Sequence, residues 1–507
     1  MTRPARTWPF HLAVAELERG AGRTPITLRL VRAVTEDIRR GRLRPGDALP
    51  GSRELAAALK VHRNTALAAY RELLAEGWLE TRPGLGTFVS SELPEERAAR
   101  AARIDPARVG RPPPRPGFEL APLPPWLDAD LEPSPPPGTL LMLGGLPDLR
   151  LVPTTALARA YRRALRRRGT LGYGDPRGPL RLRSALSSML AATRGLAVGA
   201  DDVLVTRGSQ MALSLLAQVL LRPGDVVAVE ELGYRPAWAA LQQAGARLCP
   251  LPVDENGLIV EALEAALAAG PVRAVYVTPH HQYPTTAPLS PGRRLALLSL
   301  CRRARIALIE DDYDHEFHYD GRPLLPLCSA DAAGVVVYVG TLSKVLAPGL
   351  RIGYAVAPRA VLERLAALRT SLDRQGDPTT ELAVAELFEE GEAQRHVRRA
   401  RRVYKARRDR CVDGLRAAFG DELRFTVPSG GMALWAEVTD KLPVDEWLAA
   451  AADEGVRFQP GRRFAFQPGQ AGPAAQHARI GFAALTEREL DEAIRRLRRA
   501  ADRVRRR

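Results

Sequence analysis

From residue 140 onwards, short runs of Val, Ile and Leu alternate with longer segments in which apolar residues recur every three or four positions. The short runs predict buried strands and the longer segments predict amphipathic helices. Helices between consecutive strands predict a mostly parallel sheet covered on both faces, which is an α/β fold. The predicted strands are 203–206, 226–230, 274–278, 306–310 and 335–339, with 432–438 and 479–483 in a smaller C-terminal part.

A different pattern precedes residue 91. Apolar residues at helical spacing predict a helix over 26–41, ended by Gly41. A second helix is predicted over 53–59, with Ser52 as its cap, and a third over 63–77. Alternating residues on either side of a Pro- and Gly-containing turn then predict a β-hairpin. Three helices and a hairpin predict a winged helix-turn-helix.

A proline-rich segment separates the two patterns, with eleven prolines between residues 111 and 137. Such a segment does not hold regular helix or sheet and serves as a semi-rigid spacer or a tether. The predicted domains are therefore 1–91, a linker over 92–139, and an α/β domain over 140–507. Within the last, a large part over 160–370 and a small part over 371–507 are expected.

Composition and charge limit the kinds of protein to which this chain can belong. The 507-residue chain is 46% hydrophobic and 26% charged, with no apolar run near 18 residues, which predicts a cytoplasmic globular protein. Its four cysteines form no CxxC pair, so neither a disulfide framework nor a zinc-cysteine site is indicated. Residues 1–91 hold 15 Lys and Arg against 9 Asp and Glu. This excess favours a polyanion partner for the helix-turn-helix, although an arginine-rich composition alone also produces positive charge.

Lys344 is one of only four lysines among 74 Lys and Arg. A Schiff base needs an amine that can lose its proton, which an arginine cannot provide in a protein. Lys344 follows a predicted strand at the edge where open α/β sheets bind ligands, and Arg351 is placed to hold a phosphate. A surface lysine after a strand is the alternative interpretation of Lys344 alone.

The segment from Gly340 to Tyr354 resembles the lysine segment of fold type I pyridoxal-phosphate (PLP) aminotransferases. That resemblance implies an internal aldimine on Lys344 and assigns cofactor contacts to eight further residues: Gly208, Ser209, Gln210, Tyr234, Asp311, Tyr313, Ser343 and Arg351. Asp311 is expected to keep the ring nitrogen protonated, Tyr234 to stack on the ring and Tyr313 to contact its hydroxyl. Arg479 resembles the arginine that holds a substrate carboxylate.

The first domain is similar, over 45–90, to the DNA-binding domain of GntR-type regulators. Arg63, Asn64 and Thr65 begin the predicted recognition helix and are expected to reach base edges and phosphates. Arg53, with Arg82 and Gly84 of the wing, is expected at the DNA backbone or minor groove. His62 stands where such proteins usually place Ser or Thr. A small protein-interaction domain with a basic face is the alternative.

The segment from His281 to Thr285 is similar to that of MocR-type (GabR/PdxR-like) regulators, but Thr286 stands where they usually have Gly. The adjacent histidines His280 and His281, and the pair His315 and His318, invite a metal interpretation. Neither pair has the HExxH spacing or a convincing third ligand, so no metal site is predicted.

Together these resemblances imply a PLP-dependent transcription regulator that binds double-stranded promoter DNA. PLP or an amino compound is the expected effector, and weak transaminase activity is compatible with the predicted residues. The family implies a homodimer with each DNA-binding head over the partner's large domain and no membrane association. The alternatives are an active aminotransferase with an accessory DNA-binding module, and a DNA-binding protein with a PLP-free scaffold.

Overall fold

The computed structural model describes residues 25–95, 116–122, 124, 135–439 and 442–506. The chain divides into two compact units, Met1–Pro122 and Leu123–Arg507. Most of the predicted proline-rich linker lies outside the described residues, and the predicted boundaries at 91 and 139 stay predictions. Among the described residues, no helix combines the length and the apolar character that a bilayer crossing requires.

In its described residues, the first unit has three helices and a small antiparallel sheet. Its elements are α1 (Ile26–Arg39), β1 (Ala48–Leu49), α2 (Ser52–Ala58), α3 (Arg63–Ala75), β2 (Leu79–Arg82) and β3 (Gly86–Val89). The sheet order is β1-β3-β2, so the hairpin forms the wing that the alternating residues predict. Leu30, Val34 and Ile38 of α1 are buried, as their helical spacing predicts.

One cap differs from the prediction, and another is formed by an unusual residue. Helix α2 begins at Ser52 itself, and Gly51 occupies the cap position without a side-chain hydrogen bond, so the predicted Ser52 cap is wrong. His62 does cap α3, because its Nδ1 accepts a hydrogen bond from the Asn64 backbone N–H at 3.2 Å. An imidazole acceptor thus takes the place of the hydroxyl oxygen usual at this position.

The second unit is built around a seven-stranded sheet in the order β5-β13-β12-β11-β10-β6-β7. Its strands are β5 (Val203–Thr206), β6 (Val226–Glu230), β7 (Arg247–Leu251), β10 (Val272–Val277), β11 (Ala307–Asp312), β12 (Val336–Thr341) and β13 (Gly353–Val356). Only β13 runs antiparallel to its neighbours, which confirms the mostly parallel sheet. The predicted strands are correct within about three residues, while β7 and β13 are additional.

Helices cover both faces of this sheet. They are α4 (Thr154–Arg166), α5 (Leu180–Arg194), α6 (Gly208–Leu220), α7 (Arg235–Gln243), α8 (Val260–Ala269), α9 (Pro291–Ala304), α10 (Arg359–Leu372) and α11 (Pro378–Glu389). Alternate residues of one strand enter opposite cores: Val227 and Val229 pack on one face and Ala228 on the other. Burial on both faces explains why these strands are continuously apolar.

The C-terminal part adds a four-stranded antiparallel sheet in the order β14-β15-β18-β17. Its elements are α12 (Glu392–Phe419), β14 (Leu423–Arg424), β15 (Ala433–Val438), α13 (Val444–Asp453), β17 (Gln459–Pro460), β18 (His477–Gly481) and α14 (Glu487–Arg505). Two pairs of two-residue strands complete the unit: β4 (Leu140–Leu141) with β16 (Val456–Arg457), and β8 (Val253–Asp254) with β9 (Gly257–Leu258). A capping box of Thr486 and Glu489 opens α14.

The buried face of α3 generates a stability prediction. Leu73 is fully buried in the core of the first unit, whereas Leu85 at the wing tip is 74% exposed. Leu73→Ala should destabilise this unit by about 2–5 kcal/mol, because it removes buried methyl groups and leaves a cavity. Hydrogen exchange of peptides from residues 25–90 in the full-length protein measures the lost protection. Leu85→Ala is the matched control, and an equal loss in both variants would contradict the assigned core.

Candidate functional site

Lys344 lies just beyond the carboxyl end of β12, on the loop that returns as β13. Its side chain lines a cavity of about 340 Å³ at the carboxyl edge of the parallel strands. Burial, together with repulsion from the Arg479 guanidinium, lowers the pKa of the Lys344 amine to about 8. Near neutral pH a larger fraction of this amine is therefore unprotonated than of an ordinary lysine, and the unprotonated form is the nucleophile.

The cavity gathers most of the predicted cofactor residues. Of that set, it is lined by Ser209, Gln210, Tyr234, Asp311, Tyr313, Ser343, Lys344 and Arg351. The remaining lining residues are Gly144, Gly145, Pro236, Tyr276, Thr278, Tyr283, Thr341 and Pro348. Residues far apart in the sequence thus converge because the carboxyl ends of parallel strands meet at one edge.

One end of the cavity is suited to an anion. Gly208 and Ser209 begin α6, so backbone N–H groups without helical partners face this end. Arg351 packs against the same turn, since a Cβ on Gly208 would lie 2.8 Å from its Nη2. Gly208 also has a φ of +77°, a conformation that glycine adopts without strain. Helix start and guanidinium together form a site for a phosphate-sized anion.

Asp311 offers an acceptor on the opposite side. Its Oδ2 accepts a hydrogen bond from the Tyr276 hydroxyl at 2.8 Å, while its buried Oδ1 has no partner among the described residues. Burial raises the pKa of this carboxyl to about 7, against the effect of the Tyr276 hydrogen bond. A buried carboxylate oxygen without a partner is costly, so this site fits a ligand that donates a charged N–H.

The other carboxylates at the end of β11 do not line the cavity. Asp312 forms a buried ion pair with Arg194, and Asp314 lies 2.8 Å from the Nδ1 of His281. Glu310 accepts backbone hydrogen bonds from Leu327 and Cys328. Arg194 is therefore a cationic neighbour of this acidic cluster, and Asp311 is the carboxylate that lines the cavity.

Arg479 reaches this region from β18 of the smaller sheet. Its side chain is buried, and its Nε and Nη1 have no hydrogen-bond partner among the described residues. The Arg479 guanidinium lies 4.2 Å from the centroid of the Tyr283 ring. This cation–π contact helps to hold the guanidinium in place. Gly144 makes room for it, because a Cβ there would lie 2.4 Å from Nη1. Two free donors suit a carboxylate.

Three tyrosines form an aromatic wall. Tyr283 meets Tyr234 and Tyr313 edge to face, with ring centroids 5.6 and 5.8 Å apart. The Tyr313 hydroxyl donates to the backbone carbonyl of His281 at 3.0 Å. The predicted contact of Tyr313 with a ring hydroxyl and the predicted stacking of Tyr234 stay predictions.

The loop containing Thr286 keeps a shape that glycine would favour. Thr286 has a φ of +65°, which costs a residue with a Cβ about 1–2 kcal/mol. Its N–H donates to the Gln282 carbonyl at 2.7 Å, and the Gln282 side chain accepts from the Thr285 hydroxyl at 2.7 Å. These bonds hold the turn although glycine is absent.

Imidazoles gather beside the cavity. Ring nitrogens of His280, His281 and His318 lie within 4.8 Å of one another. The sequence supplied no third metal ligand because His318 is distant along the chain. It reaches the others because β10 and β11 are parallel neighbours.

The predicted DNA-contacting residues lie on the first unit. Arg53, Arg63 and Asn64 are exposed and Thr65 is half-buried, the last three in the first turn of α3. Gly84 forms the exposed wing tip with a φ of +72°. Arg82 differs from a free cation, because it pairs with Glu80 at 2.7 Å and its guanidinium lies 4.5 Å from the Phe88 ring centroid.

Several residues that line the cavity were not predicted from the sequence to belong to the site. Tyr276 and Tyr283 resemble ordinary core tyrosines, and Gly144 belongs to a short glycine pair with no further signal. Their positions depend on strand register and loop packing. Glu230, at the end of β6, does not line the cavity but contacts Thr278, which does: its Oε2 accepts from the Thr278 backbone N–H and hydroxyl at 3.2 and 2.8 Å.

Comparison with known families divides the chain in the same way. Residues 140–497 match the family of aminotransferases of class I and II, and residues 26–89 match the gntR family of bacterial regulatory proteins.

Two relatives span both parts. The probable rhizopine catabolism regulatory protein MocR of Rhizobium meliloti is 33% identical over 96% of this chain and 95% of its own length. The HTH-type transcriptional regulator TauR of Rhodobacter capsulatus is 33% identical over 94% of this chain and 97% of its own length.

A solved structure resembles the second unit. It is LysN, an α-aminoadipate aminotransferase of Thermus thermophilus complexed with N-(5'-phosphopyridoxyl)-L-leucine. Its TM-score is 0.67 at 31% identity, over 73% of this chain and 93% of LysN.

Glu230 generates a pH prediction. Burial raises the pKa of its carboxyl to about 8, against about 4.3 for an unfolded glutamate. Between these two pKa values the folded chain keeps a proton on Glu230 that the unfolded chain has released. The free energy of unfolding therefore falls as pH rises towards 8. Glu230→Gln cannot ionise, so its free energy of unfolding should fall less than that of the wild type between about pH 6 and pH 8.5.

Urea unfolding across this pH range measures the difference. Glu231→Gln, at the exposed neighbouring position, is the matched control. Parallel stability curves for the wild type and Glu230→Gln would show that Glu230 is already ionised in the folded chain.

Proposed function

The chain belongs to the MocR-type branch of the GntR-family transcription regulators, and on this premise we propose that its second unit binds PLP and thereby senses PLP itself or an amino compound. The observation that carries this proposal is the convergence of Lys344, the open oxygen of Asp311 and the Arg351 anion site in one cavity. When bound, PLP supplies an aldehyde that a primary amine can capture and a ring that acts as an electron sink.

Different residues of the protein would bind different parts of PLP. Arg351, Ser343 and the start of α6 with Gly208, Ser209 and Gln210 would bind the phosphate. The Asp311 Oδ1 would accept the ring N–H, and that cation would lower the raised pKa of the carboxyl. Lys344 would carry the covalent bond.

Arg479 would determine which compounds are sensed. Two of its donors, Nε and Nη1, have no hydrogen-bond partner among the described residues, and its guanidinium lies against the Tyr283 ring. A bidentate carboxylate bond from an amino acid would satisfy both donors. Effectors with an amine and a carboxylate are therefore favoured over simple amines.

The first unit binds DNA as a winged helix-turn-helix. We propose that Arg63, Asn64 and Thr65 enter the major groove while Arg53 and the wing residues Arg82 and Gly84 contact the backbone or minor groove. The exposure of the first turn of α3 supports this assignment. Arg82 would exchange its Glu80 partner for a phosphate.

Regulation would require an assembly of two chains. A homodimer with each DNA-binding head over the partner's large domain would place two recognition helices on one duplex. Binding of an effector in the second unit would then change the spacing of the heads through the proline-rich segment.

An active aminotransferase with an accessory DNA-binding module is the rival function. Lys344 and Asp311 suit proton transfer on a bound amino compound. The relatives MocR and TauR nevertheless extend over at least 94% of the chain, whereas LysN covers 73%. Steady turnover of an amino donor and a keto acid, without salt-sensitive binding to promoter DNA, would favour the rival.

Lys344→Ala tests the covalent step. Full-length wild-type protein incubated with excess PLP and then dialysed should keep a visible absorption band, because the lysine holds the aldehyde covalently. The band should be absent in Lys344→Ala. Lys405→Ala is the matched control, since Lys405 is an exposed lysine paired with Asp320 at 2.7 Å. A colourless wild type, or a band retained in Lys344→Ala, would refute the proposal.

Arg63→Ala tests the recognition helix. Affinity for a duplex from the region upstream of its own gene should fall roughly 10-fold, because one contact to a base or phosphate is lost. Arg359→Ala in the second unit removes the same charge from an exposed position and should change affinity little. Fluorescence anisotropy at several salt concentrations measures both. Equal affinities of wild type and Arg63→Ala would remove α3 from the interface.

A further inference from the structure

Four histidines lie together beside the cofactor cavity. His280 and His281 follow β10, and His315 and His318 follow β11, so the parallel pairing of these strands brings them to one edge. The His280 ring centroid lies 4.4 Å from those of His281 and His315. None of the four lines the cavity around Lys344. The histidine cluster is therefore separate from the proposed PLP site.

Two of these rings lack hydrogen bonds. Both nitrogens of His280, which is 6% exposed, and both nitrogens of His318 have no hydrogen-bond partner among the described residues. Buried polar atoms are normally paired, because desolvation without a partner costs about 1–3 kcal/mol for each group. Packing of neutral rings alone does not account for four such atoms in one place.

His281 is oriented as metal-bound histidines are. Its Nδ1 lies 2.8 Å from the Asp314 Oδ1, which leaves Nε2 as its free nitrogen. A carboxylate that fixes the other ring nitrogen is a usual companion of a histidine ligand. His315 is different, because its Nδ1 lies 3.3 Å from Asp312 and its Nε2 3.4 Å from the Thr193 carbonyl.

We propose that His280, His281 and His318 bind a divalent transition metal ion, with Zn²⁺ as the ion that best fits three imidazoles. Their ligand nitrogens already lie within 4.8 Å of one another. Nitrogens that share a tetrahedral Zn²⁺ at about 2.0–2.1 Å lie roughly 3.4 Å apart. Rotation of the side chains closes this difference, and His318, which is half-buried, leaves a path for the ion.

The ion would connect two segments of the second unit. His280 and His281 belong to the loop that continues to Tyr283 of the cofactor cavity, while His318 pairs with Gly430 in an isolated bridge. A metal at these nitrogens would fix the first segment against the second, and its fourth position would hold water.

Titration of full-length protein with Zn²⁺ after removal of metal by a chelator tests the site. Calorimetry should show one strong site per chain, and Co²⁺ in place of Zn²⁺ should give the visible bands of a nitrogen-rich tetrahedral site. His318→Gln should weaken the affinity at least 10-fold, as should Asp314→Asn, which keeps all three ligands but releases His281. His477→Gln is the matched control, because His477 lies outside the cluster, stacked on Trp435.

Absence of a stoichiometric site in the wild type would overturn the proposal. So would wild-type affinity in a folded His318→Gln variant. If that variant does not fold, the Co²⁺ spectrum of the wild type decides, because six oxygen ligands give weak octahedral bands. Lys344→Ala should keep the metal site, so this test is independent of PLP binding.

Discussion

The proposed site in the second unit depends on one constraint: the buried Lys344 amine lies among fixed charges. Lys344 has a pKa lowered to about 8 by burial and by Arg479, while burial raises that of Asp311 to about 7. Arg479 has two donors without partners, and Asp311 has an open oxygen. The described side chains therefore leave the cavity electrostatically incomplete. A ligand with an anionic end and a protonated ring completes it, and this complementarity is the physical basis of the proposed PLP site.

The sheet provides this arrangement by topology. Strands β10, β11 and β12 are parallel neighbours buried on both faces, so their carboxyl ends deliver Thr278, Asp311 and Thr341 to one edge. The antiparallel strand β13 then returns Arg351 to the start of α6. Glycines permit the close approach: a Cβ on Gly353 would lie 2.4 Å from the carbonyl carbon of Gly208. Substitution of either glycine by a larger residue would separate the guanidinium from the helix start.

The sequence predicts features that neighbouring residues determine. It does not predict contacts that depend on how the strands are aligned in the sheet. Lys344 and Asp311 follow apolar runs, so their position at a strand end could be predicted, and the family resemblance added their roles and that of Arg351. The hydroxyl of Tyr276 reaches Asp311 from the neighbouring strand, which no periodicity reveals. His318 joins His280 for the same reason, so the proximity of a third imidazole could not be predicted from spacing along the chain. The caps of α2 and α3 differ by single hydrogen bonds, which residue type alone does not determine.

The two sheets of the second unit explain how a bound molecule could act at a distance. Lys344 belongs to the large sheet and Arg479 to the small one, where β18 pairs with β15 and β17. An amino acid held by both side chains bridges the two sheets, whereas PLP alone leaves Arg479 without a carboxylate. A ligand shifts an equilibrium only by its different affinity for two conformations. Because such a bridge would require a particular distance between Lys344 and Arg479, an amino compound would favour the arrangement of sheets that provides it. The cation–π contact of Arg479 with Tyr283 would transmit this preference to the loop that also carries Gln282 and Thr286.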